Sequence, residues 1–112
     1  MRILLAEDEA LVALDFQMEA EDRGIGDVVA VPSVAQGLDA LADTRFDWGV
    51  LDLNLKDGQT FGLADQLIAQ GARICFISGE RIEPTKLEHY GARAFGKPVP
   101  MAVLWDHLLT QS

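Results

Sequence analysis

Three consecutive acids follow the first apolar run of the sequence. In "RILLAEDEALV", Glu7, Asp8 and Glu9 stand directly after a short strand-like segment. Neighbouring carboxylates raise one another's pKa, so a cluster of them needs a compensating positive charge. Mg²⁺ takes oxygen ligands and commonly uses one or two carboxylates. We therefore predict that Glu7 and Asp8 form half of a magnesium site, and that Glu9 is a solvated acid at a helix start.

Three further polar residues end other apolar runs. Asp52 ends "WGVLD", Ser78 ends "RICFIS", and Lys97 follows "ARAFG". In parallel sheets with helices between the strands, functional groups gather beyond the carboxyl ends of the strands. The predicted site therefore combines carboxylates with one hydroxyl and one ammonium, and Asp52 supplies the second half of the metal site.

This set of groups favours phosphoryl chemistry. A carboxylate can attack phosphorus and form an aspartyl phosphate. A cation and Lys97 would neutralise the oxygens of the transferred group, and Ser78 would donate a hydrogen bond to it. A nucleotide site is excluded at the first strand, because acids stand where a glycine-rich turn would admit a phosphate.

The elements that must position these residues alternate along the chain. Five apolar strand-like runs are separated by segments with apolar residues at helical spacing. This alternation predicts an α/β fold, a five-stranded doubly wound parallel sheet covered by helices on both faces. Ser33 is predicted to cap a helix, and residues 83–90 form the weakest predicted helix. The predicted apolar face of the first helix contains Leu11, Leu14 and Met18.

Composition limits the function further. The 112 residues suit a single domain, and the net charge of −9 argues against direct binding of nucleic acid. Residues 1–57 hold thirteen acids and four bases, so the imbalance lies in the half that contains the acidic triplet. No apolar run approaches the roughly 20 residues of a membrane span. The single cysteine, Cys75, is predicted to be a buried thiol, and we expect a cytoplasmic protein.

These motifs together resemble the receiver domain of two-component response regulators. The matching segments are "AEDE", "LDLN", "ISG" and "KP", and the resemblance extends from Arg2 to about Leu109. It implies a flavodoxin-like sandwich in which residues 1–112 form one receiver domain without an output domain. "CFISGE" and "LDLNLKDG" are most similar to single-domain alphaproteobacterial regulators with a Phe-Ala-Thr-Gly-Tyr motif.

The resemblance also implies a role for each site residue. Asp52 would accept a phosphoryl group from a histidine kinase or a histidine phosphotransfer protein. Asp8 and Asp52 would ligate Mg²⁺ (or Mn²⁺), with Glu7 acting through water and Asn54 through its backbone carbonyl. Ser78 would be the switch hydroxyl and Lys97 the phosphate-binding lysine, with a cis Lys97–Pro98 bond. Output would pass through contacts with an unidentified protein, or the domain would serve as a phosphate sink.

Three departures from the receiver pattern leave other functions open. Ala94 stands where receivers usually carry an aromatic residue, Lys56 replaces a common proline, and the span from Ser78 to Lys97 is short. A pseudo-receiver that binds proteins without phosphorylation is therefore the main alternative. An aspartyl phosphohydrolase is a third possibility, but Asn54 occupies the position of its second acid and cannot transfer a proton as a carboxylic acid does.

Overall fold

A computed structural model describes residues 1–111 and contains one five-stranded parallel sheet. The strands are β1 (Ile3–Ala6), β2 (Val28–Val31), β3 (Trp48–Asp52), β4 (Arg73–Ser78) and β5 (Arg93–Gly96). Their order in the sheet is β2-β1-β3-β4-β5. The helices are α1 (Ala10–Asp22), α2 (Val34–Asp43), α3 (Phe61–Ala69), α4 (Pro84–Tyr90) and α5 (Met101–Thr110). The predicted fold class is confirmed.

A short antiparallel hairpin follows β3. It pairs Asn54–Leu55 with Gly58–Gln59 and occupies the loop between Asp52 and α3. Gly58 has a φ of 138°, a backbone conformation that side chains with a Cβ rarely adopt. The hairpin therefore fixes the shape of the chain immediately beyond the third strand.

The sheet separates two apolar cores because successive strand side chains point to opposite faces. On one face Leu4, Leu51 and Phe76 pack beneath α2, α3 and α4. On the other face Ile3 and Leu5 pack against α1 and α5. The central strands are apolar on both faces, as expected for a parallel sheet covered on both sides.

The predicted apolar face of α1 points to solvent and does not enter the core. Leu11, Leu14 and Met18 are 82%, 52% and 57% exposed, whereas Phe16 and Ala20 are buried. The ring of Phe16 packs on that of Trp105 in α5, with ring centroids 4.7 Å apart. This contact fixes the rotation of α1 and turns the other apolar stripe toward solvent. The spacing of apolar residues identified one apolar face of α1, but the helix has a second one, which contains Phe16 and Ala20 and is buried.

The start of α2 combines a predicted cap with an unpredicted one. The Gln36 backbone N–H donates to the Ser33 hydroxyl oxygen at 3.1 Å, as the capping motif predicts. The backbone N–H groups of Val34 and Ala35 donate to the Asp57 carboxylate at 2.9 and 3.0 Å. These two bonds lower the pKa of Asp57 and join the hairpin loop to α2.

The helices are short. The longest, α1, has 13 residues. Among the described residues, no helix is long and apolar enough to cross a membrane.

Candidate functional site

The predicted site residues end or directly follow adjacent strands, and they lie at the carboxyl end of the sheet. Ala6 pairs with Leu51 in the β1–β3 register, and Asp52 pairs with Ile77 in the β3–β4 register. Glu7, Asp52 and Ser78 therefore stand at or just beyond the carboxyl ends of three neighbouring strands. Lys97 follows β5 directly, and its bond to Pro98 is cis.

Three carboxylates converge at this edge. Glu7, Asp8 and Asp52 each place one carboxylate oxygen within 4.8 Å of the other two. Glu7 and Asp52 are only 3% and 5% exposed, and Asp8 is half-buried. Burial and the nearby Asp52 charge raise the pKa of Glu7 to about 7, although the Glu9 backbone N–H donates to its Oε2 at 3.0 Å.

The donor set fits a hard divalent cation. All three groups offer carboxylate oxygens, the ligands that Mg²⁺ prefers. Oε1 of Glu7 is buried and has no hydrogen-bond partner among the described residues. The Lys97 ammonium lies 3.5 Å away from this oxygen, and a buried oxygen without a hydrogen bond is costly unless a ligand satisfies it. The arrangement is therefore compatible with Mg²⁺ or Mn²⁺ and supplies it with oxygen donors from two strands.

Lys97 reaches into the carboxylate cluster. Its ammonium donates to Oδ2 of Asp52 at 2.8 Å and to Oε1 of Glu9 at 2.9 Å, and it lies 3.5 Å from Oε1 of Glu7. Partial burial alone would lower the pKa of Lys97. The hydrogen bonds to Asp52 and Glu9 and the charges of Glu7 and Asp52 outweigh burial and raise this pKa above its ordinary value.

The prediction that Glu9 is a solvated acid at a helix start is confirmed, but it leaves out an ion pair. Its side chain is 58% exposed, but its carboxylate binds an ammonium 88 residues away in sequence. No sequence pattern indicated this pairing. It depends on the distance between the start of α1 and the end of β5, which only the folded chain defines.

Asp52 is held by its neighbours. The Asn54 backbone N–H donates to Oδ1 of Asp52 at 3.2 Å, and the buried Thr60 hydroxyl donates to the Asp52 carbonyl at 2.9 Å. Sequence reasoning missed Thr60, whose only signal is a hydroxyl just before α3. Its side chain does not cap that helix but instead binds the end of β3.

Ser78 and Glu80 shape the loop after β4. The buried Ser78 oxygen accepts a hydrogen bond from the Glu80 backbone N–H at 3.0 Å, so the hydroxyl hydrogen can still be donated. The Asn54 side-chain amide donates to Oε1 of Glu80 at 2.7 Å. This bond, which the sequence did not indicate, joins the loops that follow β3 and β4.

The aromatic position before Lys97 differs from the receiver pattern in space as well as in sequence. Ala94 is half-buried and packs in the core beneath α3 and α4. Phe95 points to the opposite face, where it is 4% exposed. Its ring centroid lies 5.7 Å from that of His107. Phe95 is therefore a core residue, and it does not replace the missing aromatic side chain at Ala94.

Comparison with solved structures identifies the fold. A response regulator receiver domain (CheY-like) from Methylobacillus flagellatus matches with a TM-score of 0.85 and 24% identity over 100% of this chain and 98% of that chain. A response regulator receiver protein from Sinorhizobium medicae matches with a TM-score of 0.78 and 28% identity over 93% and 87%. SdrG from Sphingomonas melonis matches with a TM-score of 0.80 and 25% identity over 97% and 93%.

The sequence comparisons add no further relative. No protein-family model matches the chain, and no curated protein matches it. The similarity therefore rests on three-dimensional structure together with the motifs at the strand ends. The resemblance to receiver domains of two-component response regulators is confirmed, and the chain has the CheY-like receiver fold.

Proposed function

We propose that Asp52 accepts a phosphoryl group from a phosphohistidine on a histidine kinase or phosphotransfer protein. The observation that carries this proposal is the position of Asp52. Its side chain lies 2.8 Å from the Lys97 ammonium and belongs to a carboxylate cluster suited to Mg²⁺. A nucleophile, a cationic group and a metal site then lie at one edge of the sheet.

The proposed transfer needs only the donor and these groups. A carboxylate oxygen of Asp52 forms a bond to phosphorus while the phosphorus–nitrogen bond of the donor breaks, and the imidazole leaves with the electron pair. Asp8, Asp52 and the Asn54 backbone carbonyl would hold the metal, with Glu7 acting through water. Bound there, Mg²⁺ would supply positive charge to the phosphoryl oxygens. Lys97 would donate to the same oxygens.

The proposed signal is a change in the loops around Asp52. Phosphorylation adds charge and strong acceptor oxygens at the end of β3. The free hydrogen of the Ser78 hydroxyl would be donated to the phosphoryl group, and the bond between Asn54 and Glu80 would carry movement of one loop to the other. The resulting surface would bind a target protein or favour return of the phosphoryl group to the pathway.

The exposed face of α1 supports a protein as donor. Leu11, Leu14 and Met18, here called the α1 strip, form an apolar surface on the helix that begins beside the site. A groove of about 340 Å³ runs from Leu11 to Lys97. Exposed apolar patches beside a site commonly mark protein contacts. A donor docked on the α1 strip would have its reactive group close to Asp52.

Intact-protein mass spectrometry tests the proposal. The protein is incubated with Mg²⁺ and acetyl phosphate, beside Asp52→Asn and beside wild type with a chelator in place of the metal. We expect a mass increase of one phosphoryl group only in the wild type incubated with both acetyl phosphate and Mg²⁺. The same increase in Asp52→Asn would contradict the assignment. No increase with acetyl phosphate or with any phosphohistidine donor would favour the pseudo-receiver.

A further inference from the structure

The most unexpected contact at the site is the one between Glu9 and Lys97. Glu9 occupies the N-cap position of α1, where an acidic side chain usually accepts a backbone N–H of its own helix. Here the side chain makes no such bond. It extends to the Lys97 ammonium at 2.9 Å, a distance almost equal to the 2.8 Å between Lys97 and Asp52.

The Lys97 ammonium lies near three carboxylates, and it donates hydrogen bonds to two of them, Asp52 and Glu9. Asp52 is almost fully buried and lies at the end of β3, whereas Glu9 is mostly exposed and borders the groove that leads to the α1 strip. The Glu9 backbone N–H is fixed by its bond to Glu7 Oε2. The Glu9 carboxylate draws Lys97 toward solvent, while Asp52 draws it into the site.

We propose that Glu9 is a positioning residue that restrains Lys97 and thereby slows phosphorylation of Asp52. The proposal rests on the proposed function of Asp52 as acceptor. During transfer from acetyl phosphate, an Asp52 oxygen bonds to phosphorus and acetate leaves with the electron pair of the broken phosphorus–oxygen bond. Lys97 must donate to the phosphoryl oxygens during this step. The Glu9 carboxylate competes for the same ammonium and offsets part of its charge.

The groove beside these residues gives Glu9 room to release Lys97. It is open to solvent and is lined by Glu9, Leu11, Asp15, Lys97 and Met101, among others. After phosphorylation the acceptor carries more negative charge than the original carboxylate, so Lys97 favours the phosphoryl group over Glu9. Glu9 can then turn into the groove without losing a buried contact. The restraint thus acts on the unmodified protein.

The rate test compares two substitutions that remove the same charge from the same groove. Glu9→Gln removes the competing carboxylate, and Asp15→Asn removes an exposed acid that makes no ion pair among the described residues. Phosphorylation by acetyl phosphate is followed by intact mass at saturating Mg²⁺. A partly exposed ion pair contributes up to about 1 kcal/mol, which corresponds to a rate increase of about two- to five-fold in Glu9→Gln. Asp15→Asn should keep the wild-type rate.

A spectroscopic measurement reports on Lys97 without any phosphorylation. The chain has only three lysines, so the ¹⁵N signal of the Lys97 ammonium is assigned by its loss in Lys97→Arg. Glu9→Gln should move this signal and speed its hydrogen exchange, whereas Asp15→Asn should leave it in place. Thermal unfolding checks that both variants remain folded.

Each outcome decides one claim. An unchanged or slower rate in Glu9→Gln, or an equal increase in Asp15→Asn, would overturn the restraint while leaving Asp52 as acceptor. An unchanged Lys97 signal in Glu9→Gln would overturn the contact itself. If the wild type takes up no phosphoryl group, the proposed function is wrong, and so is the proposed effect of Glu9 on the rate. The Lys97 signal does not change this conclusion.

Discussion

The two ends of the sheet differ in how they treat polar groups. The buried polar or charged residues of the described chain, Glu7, Asp52, Thr60 and Ser78, all lie at the carboxyl end. At the amino end, Arg2 bonds Asp27 at 2.9 Å, and both side chains are about half exposed. Water solvates the Arg2–Asp27 pair but has little access to the buried polar residues of the carboxyl end.

The amino end nevertheless has the larger cavity. A space of about 610 Å³ lies beside Trp48, Arg73, His89 and His107, compared with about 340 Å³ for the groove beside Lys97. Its lining contains no buried carboxylate, lysine or arginine among the described residues, and its one buried ionisable side chain is the phenol of Tyr90. Buried polar groups that lie close together therefore indicate a functional site better than cavity size does, because burying them is costly without a functional gain.

The largest effect is expected from removing Lys97, the cation at the carboxyl end. Removing Arg73, a cation at the amino end, is the matched control. Lys97→Ala removes the proposed donor to the phosphoryl oxygens and should slow the proposed phosphorylation of Asp52 by about 100-fold or more. Arg73→Ala removes an exposed cation at the amino end and should leave the rate unchanged. Mass-based rates with acetyl phosphate and Mg²⁺ measure both. A comparable loss in Arg73→Ala would break the distinction between the two ends.

The two ends should also respond oppositely to pH when metal is removed. Glu7 has a pKa raised to about 7, so the folded state holds its proton more tightly and stability falls as pH rises from about 4.5 to 7. The pKa of His107 is lowered by burial and by Arg93 and Arg73, so stability falls as pH drops below about 6.5. Urea unfolding in chelator measures both slopes.

Matched substitutions assign each slope to its residue. Glu7→Gln should remove the decline between pH 4.5 and 7, on the order of 3 kcal/mol in the free energy of unfolding. His107→Asn should remove only the loss on the acidic side. A decline that persists in Glu7→Gln would show that Glu7 does not carry the raised pKa.

A smaller effect is expected at Thr60. Its buried hydroxyl donates to the Asp52 carbonyl, and Thr60→Val keeps the shape while leaving that carbonyl without this donor. The free energy of unfolding should fall by about 1–2 kcal/mol. Thr60→Ser keeps the hydroxyl and should recover much of this loss, provided that packing is preserved. Chemical denaturation of the three proteins compares them.

The smallest effect is expected at the solvated pair of the amino end. Asp27→Asn removes one partner of Arg2 and should change the free energy of unfolding by less than about 1 kcal/mol, with most of the change lost at high salt. A loss larger than that of Thr60→Val would contradict the view that this solvated pair contributes less to stability than the buried polar groups of the carboxyl end. The measurement is denaturant unfolding at low and high ionic strength.

Most of the fold could be predicted from local patterns. Apolar runs separated by helical spacing predicted the parallel sheet, and strand ends predicted where Glu7, Asp52, Ser78 and Lys97 would stand. These predictions need only the period of each element and the topology of parallel sheets.

The remaining features depend on distances between segments far apart in sequence. The buried face of α1 follows from the contact of Phe16 with Trp105, which the spacing of Leu11 and Leu14 cannot reveal. The pairing of Glu9 with Lys97 and the bond between Asn54 and Glu80 likewise join different loops. Such contacts are set by tertiary packing rather than by periodicity.

Asp52 is the proposed phosphoryl acceptor, and mapping the modified residue decides whether this assignment is correct. After treatment with acetyl phosphate and Mg²⁺, borohydride reduces an aspartyl phosphate to homoserine, which peptide mass spectrometry locates. We expect homoserine at position 52 and at no other acid. Homoserine at position 8, or a modified side chain from Glu7 or Glu9 with position 52 intact, would contradict it.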